Sequence, residues 1–282
     1  MAIHELGSFT ASDGRELAMP SYWTSNEIWP SDLVHLVSAE SFDSAFVVGS
    51  ANASTIAPLV LDLKNLGFLD IEQGQGELFR YRVEAARRAI ELVGLEEDRL
   101  KVIAESYIAA LQDLLPNAVL VDGSIYGEIS SFDFARFKDK EVRHYACSTL
   151  GLDNILRAVE EGLTASEQIV DITDPSKAAS VALSGAKRIG WFHASNVAHT
   201  HSKDITDGNP DLNRTEVRMD VSARVIEFIK GVPGVDSDTL VTYSVFRGDR
   251  LPMSLDADCD SMPIPIVDAV RLGDLEPTTF FR

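Results

Sequence analysis

The chain has 282 residues, of which 45% are hydrophobic and 24% charged, a composition typical of a globular protein large enough to bury an extensive core. Its net charge of −19 argues against non-specific nucleic-acid binding, which requires a basic surface. Two cysteines exclude a disulfide framework, and the absence of a membrane-length apolar run or a secretory N-terminus predicts a cytoplasmic protein with no membrane partner.

Residues 1–40 are weakly patterned and are predicted to form an N-terminal cap segment. Pro30 and Ser31 precede the apolar positions of Leu33 to Val37, an arrangement typical of a short capped helix. Such a segment suits either a cover over a substrate pocket or simple packing against the core.

The main domain is predicted to begin with a strand, a turn and a helix. Phe46–Gly49 is an apolar run that breaks into the small residues Ser50–Ser54. A helix is expected from about Thr55 to Asn65 with Gly67 as its C-cap, and then a second strand, Phe68–Glu72, that ends in acidic residues. This is the order of a mononucleotide-binding unit, in which the helix N-terminus receives a charged ligand and the acid holds ribose hydroxyls.

Strands and helices continue to alternate along the chain. The clearest helix is Glu77–Val93, with Val83, Ala86, Ile90 and Val93 on its apolar face. The later predicted strands are Leu100–Glu105, Ala118–Val121, Glu141–Ala146, Arg188–His193 and Thr239–Phe246. The later predicted helices are Ser106–Leu115, Leu152–Gly162, Pro175–Gly185 and Arg214–Lys230, with a polar loop over 194–213.

This alternation predicts an α/β fold: a doubly wound, Rossmann-like, mostly parallel sheet with helices on both faces. Three parts are expected. They are the cap segment over 1–40, a ligand-binding domain over 41–250, and an extended, proline-containing C-terminal tail over 251–282 that wraps around it.

The loop after the first strand predicts the class of ligand. Gly49, Ser50, Ala51 and Asn52 offer one glycine where a dinucleotide fingerprint has three, and no Gly-Lys-Ser/Thr follows as in a P-loop. Pyrophosphate requires a closer backbone approach than alanines permit, so a ligand without phosphates, such as S-adenosylmethionine, fits better. The same small residues also suit a tight turn that binds nothing.

A family resemblance points the same way. The order from Phe46 to Ser124 resembles that of class I S-adenosylmethionine-dependent methyltransferases, and Ala85–Leu95 with Asp98–Ile103 resembles the helix and third strand of that family. The resemblance implies that Gly49–Asn52 bind the cofactor, that Asp70 or Glu72 holds its ribose, and that Asp122 and Gly123 end the fourth strand beside it. A narrower resemblance, in length and in the character of Thr215–Gly248, is to the guanylylpyridinol methyltransferase of iron-guanylylpyridinol cofactor assembly.

Two groups of residues are candidates for the catalytic chemistry. Tyr126, just after the predicted fourth strand, suits orientation of an acceptor or proton donation, or else lies in a plain polar turn. His193, His199 and His201 suit a base that removes the acceptor's proton. The same histidines also suit a solvated loop or, less well, a metal site, so no metal is predicted.

These observations predict an S-adenosylmethionine-dependent methyltransferase that acts on a small-molecule acceptor, such as a pyridinol-type cofactor precursor. The expected assembly is a homodimer with no nucleic-acid partner. Three other functions stay open: transfer of the aminobutyrate arm in opine-type metallophore synthesis, NAD-linked oxidoreduction, and ligand binding without catalysis.

Overall fold

A computed structural model describes residues 8–18, 42–49, 63–71, 164–246 and 265–281, together with separate positions within 33–40, 81–92 and 106–114. Near the N-terminus, β1 (Ser8–Thr10) and β2 (Glu16–Ala18) form an antiparallel hairpin. Asp13 and Gly14 lie in its turn, where Gly14 has a φ of 84°. A side chain disfavours that backbone conformation, so the turn requires glycine there.

The main sheet has six strands. They are β3 (Ser44–Val48), β4 (Asn65–Asp70), β5 (Thr164–Ile169), β6 (Trp191–His193), β7 (Leu240–Phe246) and β8 (Pro265–Arg271). Their order in the sheet is β5-β4-β3-β6-β7-β8, and only β8 runs antiparallel to its neighbour. The chain thus builds outward from β3 first to one side and then to the other, which is the doubly wound, Rossmann-like arrangement.

The central strand is buried on both faces. Ala45, Phe46 and Val47 have no exposed surface although successive side chains point to opposite faces of the sheet. Burial on both faces explains why β3 is continuously apolar and was readily predicted from the sequence.

Two helices lie between β6 and β7: α1 (Val197–Gly208) and α2 (Arg214–Gly231). The longer helix, α2, buries Val221, Val225 and Phe228 in the core cluster formed with one face of the sheet. Their spacing of four and three residues places them on one side of the helix. Asn213 caps α2 by accepting a hydrogen bond from the Thr215 backbone N–H at 3.0 Å.

Several predicted elements are confirmed. The strand Thr239–Phe246 and the helix Arg214–Lys230 match β7 and α2 closely. Every described position of the predicted helices at 77–93 and 106–115 is helical. Within the predicted C-terminal tail, Pro265–Arg271 is extended and pairs with β7 as β8.

Other predictions were wrong, each for a local reason. Gly67 does not cap a helix but lies within β4, where the ring of Phe46 occupies the space that a Cβ would need, 2.1 Å away. The helix predicted from Pro175 is a single 3-10 segment, Pro175–Ser180, which ends at the extended Val181. The polar loop predicted over 194–213 instead contains α1.

In the helix predicted over 77–93, the described buried residues are Tyr81, Ala85 and Ala89, at a spacing of four. The four residues of the predicted apolar face, Val83, Ala86, Ile90 and Val93, lie outside the described residues.

Candidate functional site

The switch point of the sheet lies between β3 and β6, where the order of strands reverses. In open α/β sheets, ligands bind in the crevice beyond the carboxyl ends of the strands at such a point. Here the carboxyl ends of β3, β4 and β6 are followed by Gly49, Ile71 and Ala194, respectively. The residues around these three ends form what we call the switch edge.

Gly49 and Asp70 are closely apposed at the switch edge. The Gly49 N–H donates to the Leu69 carbonyl at 2.8 Å and extends the parallel pairing of β3 with β4 by one residue. A Cβ on Gly49 would lie 2.1 Å from Oδ2 of Asp70 and 2.6 Å from Cζ of Phe68. The missing side chain of Gly49 therefore gives the Asp70 carboxylate its position across the end of the central strand.

Two exposed isoleucines lie at the same end of the strands as this carboxylate. Ile71 follows Asp70 directly and is 62% exposed, while Ile169, the register partner of Asp70 in β5, is 64% exposed. A large apolar side chain exposed at the carboxyl end of a strand is surface that a flat apolar ligand can cover. The edge thus combines one carboxylate with apolar surface on two adjacent strands.

The loop after β5 adds a second carboxylate. Oδ1 of Asp171 accepts hydrogen bonds from the N–H and the Oγ1 of Thr173, at 2.8 and 2.7 Å. Nε2 of His201 lies 3.5 Å from the same Thr173 hydroxyl. Since that hydroxyl donates to Asp171, it can only accept from His201, an arrangement that favours the proton on Nε2.

His193, at the end of β6, is fully buried inside the sheet layer. Its Nδ1 lies 2.9 Å from Oγ1 of Thr242 on β7, and Nε1 of Trp191 donates to the same oxygen at 2.9 Å. A ring with no exposed surface and a hydrogen-bonded neighbour is positioned to stabilise the β6–β7 pair rather than to meet a ligand from solvent.

Ser195, two residues further on, has a left-handed backbone with a φ of 54° and is buried. This conformation costs a residue with a side chain about 1–3 kcal/mol, so the surrounding structure must hold it in place. The Ala194 N–H donates to the Thr242 carbonyl at 2.7 Å, and the Ser195 carbonyl accepts from the Ser244 N–H at 2.9 Å. These bonds to β7 fix the backbone where the chain leaves the switch edge for α1.

His199 lies in the first turn of α1 and is half-buried. Burial lowers its pKa to about 4, and the positive charges of Arg218, Arg214 and Lys203 contribute in the same direction. The imidazole is therefore uncharged near neutral pH.

The predicted site residues divide into two groups. Gly49, Asp70, His193, His199 and His201 are described, and Gly49 and Asp70 are brought together at the switch edge. The others lie outside the described residues: Ser50, Ala51, Asn52, Glu72, Asp122, Gly123 and Tyr126.

The predicted strands Leu100–Glu105 and Ala118–Val121 also lie outside the described residues. In the described sheet, β3 pairs with β4 and β6, and β4 pairs with β3 and β5. The described residues that follow the ends of β5 and β6 include Asp171, Thr173 and Ser195. No periodic pattern in the sequence identifies these three residues.

Within the described residues, no group of three or more histidine, cysteine, aspartate or glutamate side chains is arranged to hold a metal ion. No helix in that part of the chain combines the length and the apolar character needed to cross a bilayer.

No family model matches the chain, and no curated protein matches it. Among solved structures, the chain is similar to the rRNA methyltransferase AviRa from Streptomyces viridochromogenes, with 10% sequence identity, a TM-score of 0.40, and coverage of 85% of this chain and 82% of that chain. A TM-score of this size does not establish a shared fold, and the activity in that name belongs to that protein.

Proposed function

We propose that the chain is an S-adenosylmethionine-dependent methyltransferase that acts on a small-molecule acceptor. The observation that carries the proposal is the Asp70 carboxylate lying against Gly49 at the switch edge. A carboxylate at this point in a doubly wound sheet suits the hydroxyls of a nucleoside ribose.

The residues present fit the adenosine part of this cofactor. Asp70 is partly buried, and a carboxylate that accepts from two hydroxyls forms stronger hydrogen bonds there than in open solvent. Ile71, the next residue in the chain, and Ile169, the register partner of Asp70, supply exposed apolar surface at the same end of the strands for the adenine ring. The single glycine of the Gly49 loop favours a ligand without pyrophosphate, which supports this cofactor over NAD.

When bound, S-adenosylmethionine supplies an electrophilic methyl group on its sulfonium. The protein would then align the acceptor with that methyl group and remove or hold the proton of the acceptor. The neutral imidazole of His199 is suited to receive a proton or to accept a hydrogen bond from the acceptor, whereas the buried His193 is suited to holding β6 against β7. The net charge of −19 supports a small acceptor over a nucleic acid.

Calorimetric titration with S-adenosylmethionine, S-adenosylhomocysteine and NAD tests the proposal. We expect the first two to bind and NAD not to. Asp70→Ala should weaken their binding by roughly ten- to a hundredfold, because a hydrogen bond to a charged group contributes about 1.5–3 kcal/mol. Asp70→Asn should retain part of the affinity, since one amide oxygen still accepts.

Asp43→Ala is the matched control, because Asp43 is exposed and lies at the opposite, amino end of β3. The affinity of Asp43→Ala for S-adenosylmethionine and S-adenosylhomocysteine should equal that of the wild type. If neither sulfur nucleoside bound, or if Asp70→Ala and Asp43→Ala behaved alike, the proposed function would be wrong. Light scattering on the same samples tests the predicted homodimer.

A further inference from the structure

A buried hydroxyl connects the segment after β5 with α1. Thr173 is 4% exposed, and its Oγ1 donates to Oδ1 of Asp171 at 2.7 Å. The Thr173 N–H donates to the same carboxylate oxygen at 2.8 Å, so two hydrogen bonds fix the carboxylate against this segment. Nε2 of His201, on α1, lies 3.5 Å from the Thr173 hydroxyl. We refer to Asp171, Thr173 and His201 as the relay.

The relay connects the two sides of the switch edge. The Val170 N–H donates to the Asp70 carbonyl at 2.8 Å, so the relay begins beside the end of β4. His201 belongs to α1, which starts just past the end of β6. In the order of strands, β4 and β3 lie between β5 and β6. The contact of His201 with Thr173 therefore joins the segments that leave the sheet on either side of β3 and β4.

The relay determines which nitrogen of His201 carries the proton. The hydrogen of the Thr173 hydroxyl points to Asp171, so the hydroxyl oxygen can only accept from the imidazole. Nε2 is then the protonated nitrogen, and Nδ1 of the neutral ring carries the lone pair. In the part of the chain that the structure describes, Thr173 is the only hydrogen-bond partner of His201, which is partly exposed. Nδ1 is therefore available to a ligand.

The relay distinguishes His201 from the other two described histidines. His193 has no exposed surface, and its Nδ1 already contacts the Thr242 hydroxyl. His199 lies two residues before His201, so the two rings point to different sides of α1 and one small acceptor does not meet both. A catalytic base is typically oriented by a third group, and the relay supplies such a group to His201.

We propose that His201 is the base that removes the proton of the methyl acceptor, and that Thr173 and Asp171 are its positioning residues. The role as base rests on the proposed methyl transfer, whereas the relay can be measured without the cofactor. The acceptor's proton moves to Nδ1, and the electron pair of the broken O–H or N–H bond stays on the acceptor atom, which bonds to the methyl carbon. The electron pair of the carbon–sulfur bond stays on the sulfur. The positive charge thus passes from the sulfonium to the imidazolium, which the Thr173 oxygen, polarised by Asp171, stabilises through Nε2–H.

Nitrogen-15 NMR of the histidine rings tests the relay in the full chain at about pH 8, where an ordinary imidazole is uncharged. His201→Gln identifies the signals of His201. We expect a single neutral form of this ring, with the proton on Nε2. Thr173→Ser keeps the hydroxyl and should keep this form. Thr173→Val removes the acceptor, and Asp171→Ala frees the hydroxyl to donate to Nε2, so both variants should give a mixture of the two neutral forms.

Asp174→Ala is the matched control, because Asp174 lies in the same segment but accepts from Ser176. This variant should leave the His201 signals unchanged. A mixture of forms in the wild type, or equal spectra for Thr173→Ser and Thr173→Val, would overturn the relay. If urea unfolding shows that Thr173→Val does not fold, the comparison of Asp171→Ala with Asp174→Ala decides, and equal spectra for that pair would overturn the relay as well.

Titration with S-adenosylmethionine in the same NMR experiment tests the role as base. A base in hydrogen-bond reach of the acceptor, with the acceptor in contact with the methyl group, places Nδ1 within about 7 Å of the methyl carbon. Saturation should therefore shift the Nδ1 signal of His201, and S-adenosylhomocysteine, which lacks the sulfonium charge, should shift it less. Saturable binding without such a shift would show that His201 is not the base. If S-adenosylmethionine does not bind while the relay variants behave as described, the methyltransferase function is wrong and the relay stands.

Discussion

The contact between Gly49 and Asp70 leads to the sharpest prediction, for Gly49→Ala. The new Cβ would lie 2.1 Å from Oδ2 of Asp70, about 1.3 Å closer than an ordinary contact of 3.4 Å. The carboxylate is the end of a side chain and can rotate away, but the buried Phe68 ring, 2.6 Å from the Cβ, has less freedom. We expect a loss of stability of about 1–3 kcal/mol, the usual cost of inserting a methyl group into a packed site.

The larger effect should be on ligand binding. With the carboxylate displaced, Gly49→Ala should lose roughly the same ten- to hundredfold in S-adenosylmethionine affinity as Asp70→Ala, for the same physical reason. The double variant should therefore bind no more weakly than Asp70→Ala alone, since both changes remove one interaction. Calorimetry measures the affinities, and urea unfolding confirms that each variant is folded. Wild-type affinity in Gly49→Ala, or fully additive losses in the double variant, would refute the reasoning.

Three further predictions concern stability. Gly67→Ala should destabilise the fold by about 1–3 kcal/mol in urea unfolding, because the new Cβ would lie 2.1 Å from the buried Phe46 ring. Gly208→Ala is the control, since a Cβ there would have no atom within 4 Å, and it should be neutral or slightly stabilising. Thr242→Val removes the hydroxyl that the buried rings of Trp191 and His193 both contact, and it should lower the free energy of unfolding by about 1–3 kcal/mol for each ring nitrogen left unsatisfied. Thr242→Ser keeps the hydroxyl and should cost much less stability. Equal losses in the two variants would contradict the hydrogen-bonding role of Thr242. Because the pKa of His199 is lowered in the folded protein, the unfolded chain binds a proton first as the pH falls from about 6.5 to about 4. The free energy of unfolding should therefore decline over this range by at most about 1.4 kcal/mol per pH unit, and by less because solvent screens the half-exposed ring. The stability of His199→Gln, measured as the midpoint of urea unfolding, should decline less over the same range.

The sequence predicted best those elements whose burial leaves an unambiguous pattern. β3 is buried on both faces and is apolar from Ala45 to Val48, β7 is rich in β-branched and aromatic residues, and α2 carries large apolar residues at helical spacing. β5, in contrast, was missed because Thr164–Ile169 is polar and pairs in the described sheet only with β4. Its described side chains, Ser166 to Ile169, are all at least partly exposed, so no apolar pattern is required of them.

α1 was missed for a related reason. Its buried stripe consists of Ala198, Ser202 and Thr206, which are four residues apart but too small or too polar to register as an apolar face. Ser202 and Thr206 satisfy their hydroxyls by bonding to backbone carbonyls within the helix. The β1–β2 hairpin did leave a local signal, Asp13-Gly14, which is a common hairpin turn.

The position of β6 also decides how the two halves of the proposed site relate. The nucleoside half lies at Gly49 and Asp70, on β3 and β4, and the switch point opens on the other side of β3, toward β6. Ser195 keeps a costly left-handed backbone there, fixed by its bond to the Ser244 N–H, and α1 starts two residues later with His199 in its first turn. An acceptor that enters from the α1 side would thus approach the edge there while the cofactor occupied the β4 side. The two would meet beyond the carboxyl ends of β3 and β6, where the strand order reverses and open α/β sheets bind their ligands.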